Sequence, residues 1–131
     1  STESLQGSET ILLVEDEEVV RRVTAVILQS RGYTVLEATD GEEALRLFQE
    51  DNGNPIDLVV TDVVMPQMSG LRLAKYLFAL CPEIKVLYMS GYTDNALIHQ
   101  EILKPGMPYI QKPFTPDDLA HKVREVLDGH S

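Results

Sequence analysis

Short apolar runs and helical stripes alternate five times along this chain, and no other feature narrows its possible folds as much. Ile11–Val14, Leu58–Val60 and Val86–Met89 are unbroken apolar runs of strand length, the pattern of strands buried on both faces. Tyr33–Leu36 is a weaker run of this kind and Tyr109–Ile110 a very short one. Between them the apolar residues take helical spacing. Val20, Val23 and Ile27 recur on one stripe that stops before Gly32, and Ala44, Leu47 and Phe48 follow Asp40-Gly41. Ser69 can cap a helix carrying Leu71, Ala74 and Leu77, with Pro82 beyond its end. Thr115 can cap another carrying Leu119, Val123 and Val126, with Pro116 at the first helical position. Residues 93–103 predict a weaker helix, cut off by Lys104-Pro105-Gly106.

This alternation predicts an α/β fold: an open, doubly wound, five-stranded parallel sheet with helices on both faces, three layers in all. Ligands of such sheets bind at the carboxyl ends of the strands, near the point where strand order reverses. The loops after the strands are therefore where chemistry is expected. The 131 residues suit one domain, placed at 10–128. Ser1–Glu9, polar and small residues around a single Leu5, reads as a flexible linker or tail, and 129–131 as a tail. A net charge of −10 disfavours direct nucleic-acid binding, which rewards clustered Lys and Arg. No apolar run approaches the roughly 18–20 residues that span a bilayer, and no signal peptide is recognisable. The expectation is a cytoplasmic domain without membrane contact, whether or not a parent protein is membrane-anchored. The single cysteine, Cys81, leaves no internal disulfide and no multi-thiolate metal site, and its reading is structural or incidental.

The predicted strand ends carry the chemistry. The first ends in Glu15-Asp16, the third in Thr61-Asp62, the fourth in Ser90-Gly91 and the fifth in Gln111-Lys112-Pro113. If these ends share one edge, three carboxylates, a hydroxyl and an ammonium converge. Crowded carboxylates repel and raise one another's pKa, and a hard divalent cation relieves the repulsion. Mg²⁺, or Mn²⁺, suits such oxygen donors, whereas the three histidines lie in predicted helix or tail and offer nothing to a softer metal. A carboxylate beside such an ion, with a lysine and a hydroxyl at hand, has the parts for covalent phosphoryl transfer to aspartate. Taken singly, each element has a plain structural reading: Glu15–Glu18 as an acidic helix start, Asp62 as a turn residue, Ser90-Gly91 as a turn and Lys112-Pro113 as a surface loop. Only their joint placement argues for function.

At these positions the sequence resembles the receiver domain of two-component response regulators over roughly residues 10–128. The motifs are ILLVEDEE at 11–18, VVTDVVMPQMSG at 59–70, VLYMSGY at 86–92 and YIQKPF at 109–114. The resemblance implies the flavodoxin-like (CheY-like) strand order 2-1-3-4-5. It implies that Asp62 is the phospho-acceptor, Asp16 the principal Mg²⁺ ligand with Glu15 its acidic neighbour, and the Val64 carbonyl a backbone ligand. Lys112 would contact the phosphoryl group, across a cis bond to Pro113. Ser90 would be the switch hydroxyl and Tyr109 the aromatic switch residue. Glu15 stands where Asp is frequent and Ser90 where Thr is frequent. The tail before SETILLVEDEE, with YMSGYTD and IQKPFTPDDL, resembles the C-terminal receiver of hybrid sensor histidine kinases. The partner implied is a histidine kinase or histidine phosphotransfer domain, and the assembly a monomer or weak dimer. Such a domain catalyses its own aspartyl phosphorylation and dephosphorylation without being a kinase.

Two other readings remain open at this point. Phosphohydrolases of the aspartyl-phosphate type resemble a DxDx(T/V) pattern, but Val63-Val64 follow Asp62 and little chain remains for a substrate cap. A degenerate receiver used only for docking is disfavoured by the intact Asp16, Asp62 and Lys112.

Overall fold

The computed structural model describes residues 6–50, 55–91 and 107–129. In chain order these form β1 (Thr10–Val14), α1 (Glu18–Ser30), β2 (Thr34–Ala38), α2 (Gly41–Gln49), β3 (Leu58–Asp62), α3 (Gly70–Leu80), β4 (Lys85–Ser90), β5 (Tyr109–Gln111) and α4 (Pro116–Leu127). All strand pairs are parallel and their order is β2-β1-β3-β4-β5, the reversal falling between β1 and β3.

Successive residues of β1 serve opposite faces, which is why its apolar run is unbroken. Leu12 and Val14 join Val59 and Val86 under α2 and α3, with Ala44, Leu73 and Leu77. Ile11 and Leu13 join Leu58, Val60 and Leu87 under α1 and α4, with Leu28, Leu119 and Val123. Two cores, one per face, make the three layers.

The helix starts obey local chemistry. Asp40 accepts from the Glu43 amide at 2.8 Å, and Ser69 from the Arg72 amide at 3.2 Å. Thr115 and Asp118 form a reciprocal capping box with Pro116 at the first position. Helix α1 starts behind Glu17, whose side chain makes no capping bond.

β2 departs from the sequence expectation. It runs over Thr34–Ala38 rather than from Tyr33, which precedes the strand as a core residue. β2 is an edge strand whose Thr34 is exposed and whose partly buried Glu37 pairs with Arg21, so its apolar run is broken and gives a poor signal. The turn before it needs Gly32: its φ is +100°, and a Cβ there would lie 2.3 Å from the Gly7 carbonyl oxygen. Within the segment read as a linker, the Gly7 amide donates to the Arg31 carbonyl at 3.0 Å, and the Glu9 carboxylate pairs with Arg124 at 2.9 Å. The helix expected over 93–103 lies outside the described residues.

Candidate functional site

The strand register assembles the site. Val14 is level with Thr61, so Glu15 and Asp62 follow as neighbours at the ends of β1 and β3. Asp62 is level with Met89, and Ser90 comes next on β4. Ser90 is level with Gln111, and Lys112 comes next after β5. The backbone continues the pairing past the strands, with the Val63 amide donating to the Met89 carbonyl at 2.9 Å and the Lys112 amide to the Ser90 carbonyl at 2.7 Å. Four of the residues expected at the site are thereby placed by sheet geometry alone.

Carboxylate oxygens of Glu15, Asp16 and Asp62 lie within 4.8 Å of one another. Glu15 is fully buried, Asp62 nearly so, and Asp16 exposed. Lys112 Nζ donates to Glu15 Oε1 at 2.9 Å and lies 3.2 Å from Asp62 Oδ1. The second contact is an ion pair whose angle falls outside hydrogen-bond geometry, so Asp62 Oδ1 has no hydrogen-bond partner among the described residues. Glu15 Oε2 and the buried Ser90 Oγ share that condition. Buried polar atoms are nearly always bonded, so three such atoms at one edge mark a site shaped for something else.

The electrostatics follow from burial and crowding. The Asp62 carboxyl is pushed up to about 8, first by burial and then by Glu15, with Lys112 pulling the other way. Burial disfavours the Lys112 ammonium, yet Glu15 and Asp62 outweigh it and hold its pKa above the usual value. Two buried carboxyl groups share one cation, so both can ionise together only with a further cation. The donors are all hard oxygens, a set suited to a small divalent metal.

The loop between β3 and α3 depends on Gly70. A Cβ there would stand 2.2 Å from the Asp62 carbonyl oxygen, while the Gly70 amide donates to the Val63 carbonyl at 2.8 Å. Only glycine lets α3 begin this close to the acceptor strand. Val64, in the same loop, is 43% exposed. Lys112-Pro113 is cis. Tyr109 is not at the carboxylates: it pairs with Tyr88, is half-buried, and lines a groove of about 600 Å³ with Ile110, Gln111, Phe114 and His121. Sequence reasoning missed Arg21, whose guanidinium reaches from α1 to the Glu15 carbonyl at 3.1 Å. No spacing rule signals a contact made by a side chain folding back on its own loop.

Fold and strand-end arrangement together describe a receiver domain, and comparison with known proteins agrees. The family model for the response regulator receiver domain matches residues 11–124, and the chain belongs to that family. It is 44% identical over 124 residues to the sensor kinase CckA of Brucella abortus (strain 2308), covering 95% of this chain but 13% of that protein. It is 32% identical to the response regulator receiver protein CpdR of the same organism, covering 89% of this chain and 95% of that one. Among solved structures it resembles the receiver domain of the hybrid histidine kinase CckA, with 37% identity, a TM-score of 0.73, and 90% and 98% of the two chains covered. A receiver domain protein from Clostridium thermocellum superposes with a TM-score of 0.81 at 29% identity, covering 92% and 95%.

Proposed function

We propose that this receiver accepts a phosphoryl group on Asp62 from a phosphohistidine, with Mg²⁺ (or Mn²⁺) as cofactor. The observation that supports it most is the carboxylate trio Glu15, Asp16 and Asp62, two of whose members share Lys112, with buried carboxylate oxygens that have no hydrogen-bond partner among the described residues. In this reading an Asp62 oxygen attacks phosphorus, an O–P bond forms, the P–N bond to the donor imidazole breaks, and the imidazole leaves with the electron pair and takes a proton. Glu15, Asp16, Asp62 and the Val64 carbonyl would hold the cation, which supplies positive charge opposite the transferring oxygens. Lys112, already against Asp62, would add a second positive charge to the transferring oxygens.

Burial excludes bulk water from Asp62, and its raised pKa sets the metal-free carboxyl partly protonated near neutrality. Binding of the cation would favour the ionised, nucleophilic form. Transfer then carries the site's charge onto the phosphoryl oxygens. Ser90, buried beside Asp62 and without a hydrogen-bond partner for its hydroxyl among the described residues, is the group that would turn to them. Its movement would open space for Tyr109 to rotate inward from its groove, converting a local charge into a changed surface.

The partner in this reading is a histidine kinase or histidine phosphotransfer domain. Its phosphohistidine must approach the edge where Asp62 sits. Helix α1 starts at that edge and exposes Val19, Val23 and Val26, an apolar stripe at helical spacing. The experiment is incubation with Mg²⁺ and acetyl phosphate, followed by intact mass. A single added phosphoryl group, lost to hydroxylamine and absent with EDTA, is expected. An unchanged mass under saturating donor and Mg²⁺ would contradict the reading.

A further inference from the structure

Glu15 is the residue on which the site turns, since its carboxylate holds Lys112 and its neighbour is Asp16. Its backbone is gripped from two sides. The Glu15 amide donates to the Ala38 carbonyl at 3.1 Å, continuing the β1–β2 ladder one residue beyond the strand. Its carbonyl accepts from Arg21 Nη1 at 3.1 Å. The same guanidinium donates from Nε to Glu37 Oε1 on β2 at 3.2 Å. Arg21 is only 11% exposed, so this fork is largely shielded from water and from the competing hydration that weakens surface pairs. Arg22 also pairs with Glu37, at 3.0 Å, but it is exposed and makes no hydrogen bond or ion pair with the acidic loop among the described residues.

Resting on the metal reading above, we propose that Arg21 is a positioning residue for the cation site. It bridges Glu37 on β2 to the Glu15 carbonyl and fixes the Glu15–Asp16 peptide, so that both carboxylates are presented together. Outer groups that orient metal ligands commonly contribute ten- to hundredfold to affinity. The alternative role, a cation that merely offsets the acidic cluster, has the opposite consequence. A positive charge beside the site repels Mg²⁺, so removing it would tighten binding.

The test is an amide NMR titration of the full chain with MgCl₂ alone, for wild type, Arg21→Ala, Arg21→Lys and Arg22→Ala. Arg21→Ala is expected to raise the Mg²⁺ dissociation constant about tenfold. Arg21→Lys keeps the charge, disturbs the fold least and cannot bridge both partners, so its dissociation constant is expected to rise as well. Arg22→Ala should stay at the wild-type value. In acetyl phosphate labelling, Arg21→Lys should raise the half-saturating Mg²⁺ by the same factor and leave the rate at saturating Mg²⁺ unchanged. Unchanged or tighter Mg²⁺ binding in both Arg21 variants would overturn the inference. A wild type that binds Mg²⁺ normally yet takes no phosphoryl group would instead overturn the phosphoacceptor reading and leave the Arg21 result standing. A wild type with no Mg²⁺-dependent shifts would overturn both.

Discussion

Lys112 reaches from the end of β5 to Glu15 at the end of β1, a 2.9 Å ion pair between residues 97 positions apart that spans β3 and β4. Asp62 sits beneath this bridge, 3.2 Å from the same ammonium. One cation therefore serves two buried acids, and most of the site's behaviour follows from that shortage of positive charge.

Removing Lys112 leaves both acids without a counter-charge in a buried setting. Lys112→Ala should lower stability of the metal-free protein by about 3 kcal/mol, the scale for breaking a buried pair from one side. The double variant Glu15→Gln/Lys112→Met should recover part of that loss. Urea unfolding in EDTA measures both; equal stability of Lys112→Ala and wild type would show that the pair is energetically idle.

The Asp62 carboxyl gives a pH signature. Its folded pKa of about 8 lies above the ordinary carboxyl value of 3.8, so the folded chain binds more protons than the unfolded one between those limits. Stability from this group is complete below the unfolded value and is lost as pH rises through the folded one. In EDTA, the stability of wild type relative to Asp62→Asn should thus fall steadily from about pH 5 to about pH 8.5. A difference that stays flat over this range would refute the raised pKa.

Asp16 is the exposed member of the trio. Asp16→Asn should remove most of the Mg²⁺-induced rise in melting temperature, because a hard cation loses a charged ligand. Without Mg²⁺ the same variant should melt slightly higher than wild type, since a like charge is gone. An undiminished Mg²⁺ shift in Asp16→Asn would exclude the ligand role.

At Gly70 the constraint is steric. A methyl group 2.2 Å from the Asp62 carbonyl oxygen must displace backbone rather than a flexible side chain. Gly70→Ala should lower stability by about 2 kcal/mol or more and move the NMR signals of 61–65. A neutral effect on both would mean that α3 can back away freely.

Coupling to the far edge is the remaining expectation. Beryllofluoride, a phosphoryl mimic, should shift the amides of Ser90 and Tyr109 as well as those next to Asp62, and Ser90→Ala should silence the Tyr109 shift. Shifts confined to the Asp62 loop would show that the groove beside Tyr109 is not part of the switch.

Much of this arrangement is legible in the sequence, for stated reasons. Strands β1, β3 and β4 are buried on both faces, so Ile11–Val14, Leu58–Val60 and Val86–Met89 announce themselves as apolar runs. Ser69, Thr115 and Pro116 act within one turn of chain, where short-range rules hold. Edge strand β2 keeps Glu37 for Arg21 and Arg22, and its end beyond Leu36 is obscured by that polar use. Glu15, Asp16, Asp62, Ser90 and Lys112 could be listed as strand-end residues, but their meeting depends on register. The Arg21 bridge was not legible, because it joins three elements through one side chain and leaves no periodic trace.

In the proposed function, Asp62 is the residue that carries the phosphoryl group. Borohydride reduces an aspartyl phosphate to homoserine and leaves an ordinary carboxylate untouched, so it marks the acceptor covalently. After treatment with acetyl phosphate, Mg²⁺ and then borohydride, tandem mass spectrometry of the peptide spanning β3 should find homoserine at position 62 and nowhere else, and Asp62→Asn should give no homoserine. Homoserine at Asp16 or at another aspartate in the wild-type chain, with Asp62 unreduced, would contradict the claim.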